Sequence, residues 1–383
     1  MDFSLDQTTL DLRDLCRSFA AKEIAPYAAD WTDQHRFPSE VFTKMGRLGL
    51  MGLLVPEEYG GADAGFVAYV TAMREIGGAD QSVASSWNAH STIASLPLVR
   101  FGTPQQKERW LRPLAEGSHI GAFGLTEPQA GSDAAAIRTR ARQDAGGWVI
   151  NGTKMFITNA GTDRSLGVTI LAVTGDEGEE KRFGVFFIPK GTDGLTLGAP
   201  LRKLGWNACD TRELVFRDCW IPADHLIGEE GSGLRQVLQV LDPGRISVAA
   251  LSLSLADAAL KLAVRHSRER RQFGRPIHEF QAIGHKIADI ATEVETARWL
   301  VYRAAWLADT GRPFTRAAAM AKLHASEVAN RAAGASLQIH GGYGYIRESE
   351  IARFYSDAKI LEIGEGTNEI QRTIIARSII GAV

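Results

Sequence analysis

The stretch "GWVINGTKMFITNA", Gly147 to Ala160, decides the fold. Tryptophan, β-branched residues and phenylalanine crowd into short runs broken by glycine and asparagine, a composition that favours strands over helices. Similar runs flank it: "LGVTILAVTG", "RFGVFFIPKG" and "ELVFRDCWIP". All fall between about Gly121 and Glu230, and together they predict a compact antiparallel sheet or barrel. Outside that window the texture is helical. Upstream, "TTLDLRDLCRSFAAKEI" repeats apolar residues at three- and four-residue spacing, and "PSEVFTKMGRLGLMGL" does so after a proline start. Downstream, the Ala-rich segments "SLADAALKLAVRHSRERRQFG" and "TRAAAMAKLHASEVANRAAGASLQIHGG" both run to a glycine, a common helix stop. The expected order is α + β + α: a helical domain over 1–120, a β domain over 121–230 and an antiparallel helical bundle over 231–383.

Bulk properties narrow the function. A chain of 383 residues with 45% hydrophobic and 23% charged residues builds sizeable cores. Its 43 basic and 45 acidic residues give a formal charge of −2 with no long run of one sign, which argues against nucleic acid as the main partner. Cys16, Cys209 and Cys219 form no CxxC pair, so neither a disulfide framework nor a metal site is expected. The acidic start "MDFSLDQTTLDLRD" has no signal-peptide core, and no uninterrupted apolar run approaches the roughly 20 residues that cross a bilayer. These features predict a cytoplasmic protein without a membrane partner.

Familiar cofactor motifs are missing. "GGYGYIR" lacks the third glycine and the preceding strand of a dinucleotide turn, and there is no Walker A sequence, HExxH or Gly-x-Ser-x-Gly elbow. His90, His324 and His340 lie in helical stretches and read as packed or exposed residues. Four segments carry more. "GLTEPQAGSDAAA", Gly124 to Ala136, sets small and hydroxyl residues at the junction of the two textures, where N–H groups could face a ligand; on composition it is equally a polar loop. "GTKMFITNAG" puts Phe156 and Thr158 on one side of a strand, where core packing is the competing account. "SRERRQFGRPIHEFQA" gathers Arg268, Arg270, Arg271 and Arg275 around Phe273, or simply forms a solvated basic face. Last, "LQIHGGYGYIRESEIARFYSDAKI" leads into "KILEIGEGTNEIQR", which places Glu362 and Glu365 among glycines that a surface helix would avoid.

Together these segments resemble the acyl-CoA dehydrogenase family of FAD-dependent enzymes, short- or branched-chain-like bacterial members in particular. Gly124 to Ala136 matches one family signature, Gly-Leu-Thr-Glu-x-x-Ala-Gly-Ser-Asp. Gln338 to Asp357 matches the second, Gln-x-x-Gly-Gly-x-Gly-Tyr followed by Glu348, Arg353 and Asp357. The resemblance covers essentially the whole chain. It implies an α+β fold with an N-terminal helical domain, a middle antiparallel β-barrel and a C-terminal four-helix bundle.

The resemblance also implies a reaction. Removing two hydrogens from a saturated acyl thioester, to give the trans-2-enoyl product, needs a base for the α-proton, a hydride acceptor and a stabiliser for the enolate; no side chain accepts hydride, so FAD does. The base maps to Glu365, whose N–H would serve the thioester oxygen with a flavin hydroxyl, while Glu362 is structural. Relatives that carry the base at the start of the first bundle helix have glutamate where "LDPGR" has Gly244. Ser132, Asp242, Arg245 and Gly364 map to the acyl-CoA site. FAD contacts map to Leu125, Thr126, Ser132, Phe156, Thr158, Thr367 and Glu369. Those to a neighbouring subunit's FAD map to Arg270, Phe273, Gln281, Gln338, Gly341 and Gly342, implying a homotetramer built as a dimer of dimers. Gly364 replaces a common tyrosine and widens the pocket, whereas an inward Trp87, one turn from His90, would shorten it. A short or branched acyl chain is expected, and a dicarboxylic one is not. Asn207 and Cys209 depart from a common Arg and Ser. Electron-transfer flavoprotein is the implied acceptor; an acyl-carrier-protein thioester, or an oxidase or monooxygenase on the same fold, is the alternative.

Overall fold

The computed structural model describes residues 4–177 and 180–381; the outermost residues of the expected first and last domains, 1–3 and 382–383, lie outside them. Eight strands form the central sheet: β1 (Ile120–Gly124), β2 (Arg140–Asp144), β3 (Gly147–Thr158), β4 (Ser165–Glu177), β5 (Glu180–Pro189), β6 (Leu195–Leu197), β7 (Thr211–Pro222) and β8 (Leu226–Ile227). They are ordered β6-β7-β3-β2-β4-β5-β8, with β1 also on β4. Most pairings are antiparallel, as the strand texture predicts, but β1–β4 and β2–β4 are parallel. Neither β1 nor β2 reaches β4 through a hairpin, and only the longer connections present here permit a parallel pair.

β3 shows how this sequence aims side chains. Trp148, Ile150 and Lys154 point inward at even spacing, and continued alternation would bury Phe156 as well. A bulge between Lys154 and Ile157 against β7 breaks the period. Phe156 adopts φ +63°, stands 61% exposed, and leaves the core position to Ile157. Core packing is therefore not its role.

The helical parts follow their apolar stripes, with three differences from the sequence reading. The helix after Pro38 spans Ser39–Arg47 and stops there, because Gly49 at φ +74° turns the chain into a short 3-10 segment. The first bundle helix is longer than expected, Gly233–Glu269, so Pro243 and Gly244 lie inside it rather than at its start. It ends at Glu269, not at Gly274; Arg271–Gln272 and Arg275–Pro276 pair as a hairpin with Gly274 at φ +81° in the turn. The Gln281–Asp309 and Thr315–His340 helices complete the long elements of the bundle, and Asn368–Ile380 packs on the latter. Gly341 at φ +58° caps the third as expected.

Alanine is the material of this bundle. Ala249, Ala256, Ala259, Ala318, Ala325 and Ala329 are all buried in one core that also takes in the N-terminal helices. The Gly65–Ala79 helix reaches it through Arg74, which pairs with Asp257 at 2.6 Å, and through Gly77, where a Cβ would lie 2.2 Å from Ser254 Oγ. The long helix corrects the expectation about apolar length: by length and composition Gly233–Glu269 could cross a bilayer, but 89% of its most apolar window is buried inside the protein.

Candidate active site

Glu365 sits in the turn between the short Lys359–Glu362 segment and the Asn368–Ile380 helix. Its φ is +50° and that of Gly366 is +91°. A left-handed conformation costs a non-glycine residue about 1 kcal/mol or more, so the surrounding structure must hold it. Thr367 does so from one side, its hydroxyl accepting the Ile370 N–H and capping the next helix. Gln371 does so from the other, donating to the Gly366 carbonyl at 2.9 Å.

The backbone of this turn is partly exposed, but the carboxylate is enclosed. Oε1 accepts from Asn88 Nδ2 at 2.8 Å, and Oε2 is shielded from solvent with no partner. Oε2 faces Gly244 of the long helix, where a Cβ would come within 2.6 Å of it. Burial pushes the Glu365 pKa up to about 7, against the lowering pull of Asn88, Lys322 and Arg245. Lys322 is itself fully buried, bonded to Asn368 Oδ1 at 3.0 Å and drawn down to about 8 by burial. Among the described residues the Glu365 N–H donates to no backbone carbonyl. Glu362 instead pairs with Lys359 at the surface.

An open cleft of about 550 Å³ near the start of the long helix is lined by Lys181, Arg235, Leu238, Asp242, Arg245 and Thr315. Arg245 pairs with Asp242, whose other oxygen accepts from Thr315 Oγ1 at 2.7 Å.

The flavin positions mapped from the sequence fall into two groups. Leu125 and Thr126 follow β1; the Thr126 carbonyl takes the Met155 N–H at 2.8 Å, tying this segment to β3 beside the outward Phe156 and half-buried Thr158. Beneath them lies a buried ion pair, Lys154 Nζ to Glu127 Oε1 at 2.8 Å, with Lys154 also donating to the Leu125 carbonyl at 3.1 Å. Burial draws Lys154 down to about 8; it also opposes ionisation of Glu127, but Lys154 and the Thr139 and Arg138 N–H groups outweigh it and hold that carboxyl at about 2. Ser132 is exposed on the same connection. An outward aromatic on a strained backbone, beside a stapled and half-open segment, fits a flat aromatic ligand.

The second group gathers at the far end of the bundle. Arg270 stacks over Tyr343 at 5.2 Å, Phe273 is 92% exposed, and Gln281, Gln338, Gly341 and Gly342 are open to solvent.

Three adjoining family models match the chain: the N-terminal domain of acyl-CoA dehydrogenase over residues 6–118, the middle domain over 122–219 and the C-terminal domain over 231–380. The chain belongs to the acyl-CoA dehydrogenase family. It is 46% identical over 381 residues, 99% of this chain and 100% of the other, to the Bacillus subtilis protein named "Probable acyl-CoA dehydrogenase YngJ". It is 45% identical over 372 residues, 97% of this chain and 90% of the other, to the short-chain specific mitochondrial acyl-CoA dehydrogenase of Bos taurus. Among solved structures, the butyryl-CoA dehydrogenase of Megasphaera elsdenii superposes with a TM-score of 0.96 at 40% identity, covering 99% of this chain and 100% of that one.

Against that family background, the stretch around Trp87 differs from its sequence reading. Trp87 is wholly buried, donates to the Leu50 carbonyl at 3.1 Å and packs on Tyr69. His90 bridges Met51 and Gly121 and is pushed down to about 4 by burial, a packed histidine. The residue that reaches the carboxylate is Asn88, between them, which the sequence reading missed. Lys154 and Glu127 were missed too; a lysine on the inward side of a strand was the available signal. Asn207 and Cys209 lie in a loop held by Asp357, which accepts the Trp206 N–H at 2.6 Å.

Proposed function

We propose that the protein is a FAD-dependent acyl-CoA dehydrogenase acting on short acyl chains, with Glu365 as its base. The observation that carries this reading is the enclosed carboxylate on a left-handed turn, one oxygen bonded and the other free toward Gly244. A pKa raised by burial to about 7 suits a base working near neutral pH. The acyl thioester enters along the cleft of Asp242 and Arg245 and places its α-carbon before Oε2. The free Glu365 N–H then donates to the thioester oxygen, where negative charge develops as the proton leaves. Leu125, Thr126, Phe156 and Thr158 would hold FAD, with Thr367, Glu369 and Ser132 at its border, and the cofactor would supply the hydride acceptor at Cβ.

Short chains follow from what surrounds the carboxylate. Gly364 adds no side chain, but Asn88 and Tyr69 fill the space on the helical side, with Trp87 behind Tyr69. Similarity to a short-chain specific enzyme and a butyryl-CoA dehydrogenase supports the same choice.

Helix geometry supports an oligomer. Gly244 and Arg270 are 26 residues apart, one in the fourth turn of the long helix and the other at its C-cap, so about 39 Å separates them along its axis. One cofactor cannot touch both ends. That distance supports the reading in which the Arg270, Phe273, Gln281, Gln338, Gly341 and Gly342 group serves the FAD of another subunit, in a homotetramer with exposed Phe273, Tyr343 and Tyr345 near the contact.

The test is steady-state turnover with a panel of straight, branched and dicarboxylic acyl-CoAs, using electron-transfer flavoprotein as acceptor. Four-carbon substrates should lead, and O₂ should replace the acceptor poorly. Equal turnover with O₂, or turnover of carrier-protein thioesters alone, would favour the oxidase or carrier-protein reading instead.

A further inference from the structure

Asn88 lies in the last turn of the Gln81–Ala89 helix, every residue of which is buried, and is itself 3% exposed. Its Nδ2–H donates to Glu365 Oε1 at 2.8 Å, while Oδ1 accepts from the Tyr69 hydroxyl at 3.4 Å. An ionised carboxylate can only accept, which sets the amide with its NH₂ end toward Glu365. The asparagine is anchored in turn. Its carbonyl takes the Thr92 hydroxyl at 2.8 Å, and Thr92 takes Ser247 of the long helix at 3.4 Å.

We propose that Asn88 is a positioning residue of the dehydrogenation, gripping Glu365 by Oε1 so that Oε2 alone receives the α-proton. The inference rests on the reading of Glu365 as the base. In the step, the α-C–H bond breaks, the proton bonds to Oε2, and the electron pair stays with the substrate as its enolate. Bound flavin would supply the acceptor for the β-hydride, and loss of both hydrogens would leave the enoyl thioester. An amide N–H stabilises the carboxylate and not the acid, so Asn88 also keeps the buried base ionised. The other titratable groups facing Glu365 are Lys322 from the Thr315–His340 helix, Arg245 from the long helix and Tyr69 from the Gly65–Ala79 helix. Asn88 is the group whose hydrogen bond fixes which oxygen is free.

The experiment uses flavin-loaded protein and two variants. Asn88→Leu has similar size and no donor; Asn88→Asp keeps the shape and adds a like charge. Two readouts are followed against pH: anaerobic flavin bleaching by butyryl-CoA, and the infrared band of the protonated carboxyl, assigned by its loss in Glu365→Gln. Asn88→Leu should move both midpoints up by about one to two units and slow bleaching at pH 7 roughly ten- to a hundredfold, with recovery at higher pH. Asn88→Asp should move them further. Unmoved midpoints in both variants, with bleaching still lost in Glu365→Gln, would overturn the role of Asn88 alone. Wild-type bleaching in Glu365→Gln would overturn the base reading, and this inference with it. If Asn88→Leu fails to retain flavin, Asn88→Asp decides the question by the same midpoints.

Discussion

Glu365→Gln is expected to slow flavin bleaching by butyryl-CoA about a thousandfold or more, while FAD stays bound. General bases contribute about 10²–10⁴-fold, and Oε2 is the buried oxygen of Glu365 that has no hydrogen-bond partner. The amide retains the shape and can still accept from Asn88, so the turn should survive. The pH dependence separates the two proteins. Bleaching by the wild type should rise as pH passes about 7, where the carboxyl loses its proton, whereas the residual rate of the variant should be flat. Stability moves the opposite way: a carboxyl whose folded pKa is raised favours the folded state most at low pH. That contribution fades as pH climbs from the ordinary carboxylate range through about 7, and Glu365→Gln removes the slope.

The second large effect concerns the Lys154–Glu127 ion pair under the segment proposed to hold FAD. Lys154→Met should destabilise the protein by roughly 3–5 kcal/mol, because it strands a buried charge. Lys154 is 0% and Glu127 2% exposed at the side chain, so solvent cannot rescue the carboxylate. The Leu125 carbonyl also loses its donor, which loosens the segment proposed to hold FAD. Urea unfolding should show the loss, and free flavin fluorescence should appear at lower denaturant than in the wild type. Pairing the change with Glu127→Gln should restore most of the stability, since no charge is then buried. A single variant as stable as wild type would mean that the pair carries little.

The layer order was legible because the sequence switches period cleanly, from helical spacing to short β-branched runs near Gly121 and back near Gly231. Where local chemistry and tertiary context disagree, the reading fell short. Gly274 looked like a helix stop, but Arg270 leaves the helix earlier to build a hairpin. The "LDPGR" stretch is expected at the start of the first bundle helix, yet that helix begins at Gly233 and continues through Pro243, anchored on both sides by buried neighbours. Glu365 could be singled out because glycines around an acid make poor helix and a good αL turn. Its partner could not, since Asn88 lies 277 positions away and carries no local mark. The bulge that turns Phe156 outward is set by β7, which strand alternation within β3 does not contain.

The most direct measurement is anaerobic mixing of the flavin-loaded protein with butyryl-CoA, followed at the oxidised-flavin absorbance. Rapid bleaching, with crotonyl-CoA as the product and a rate that rises through pH 7, is the predicted result. A bound flavin that stays oxidised with butyryl-CoA and every other short acyl-CoA at pH 8 would contradict the account at its centre.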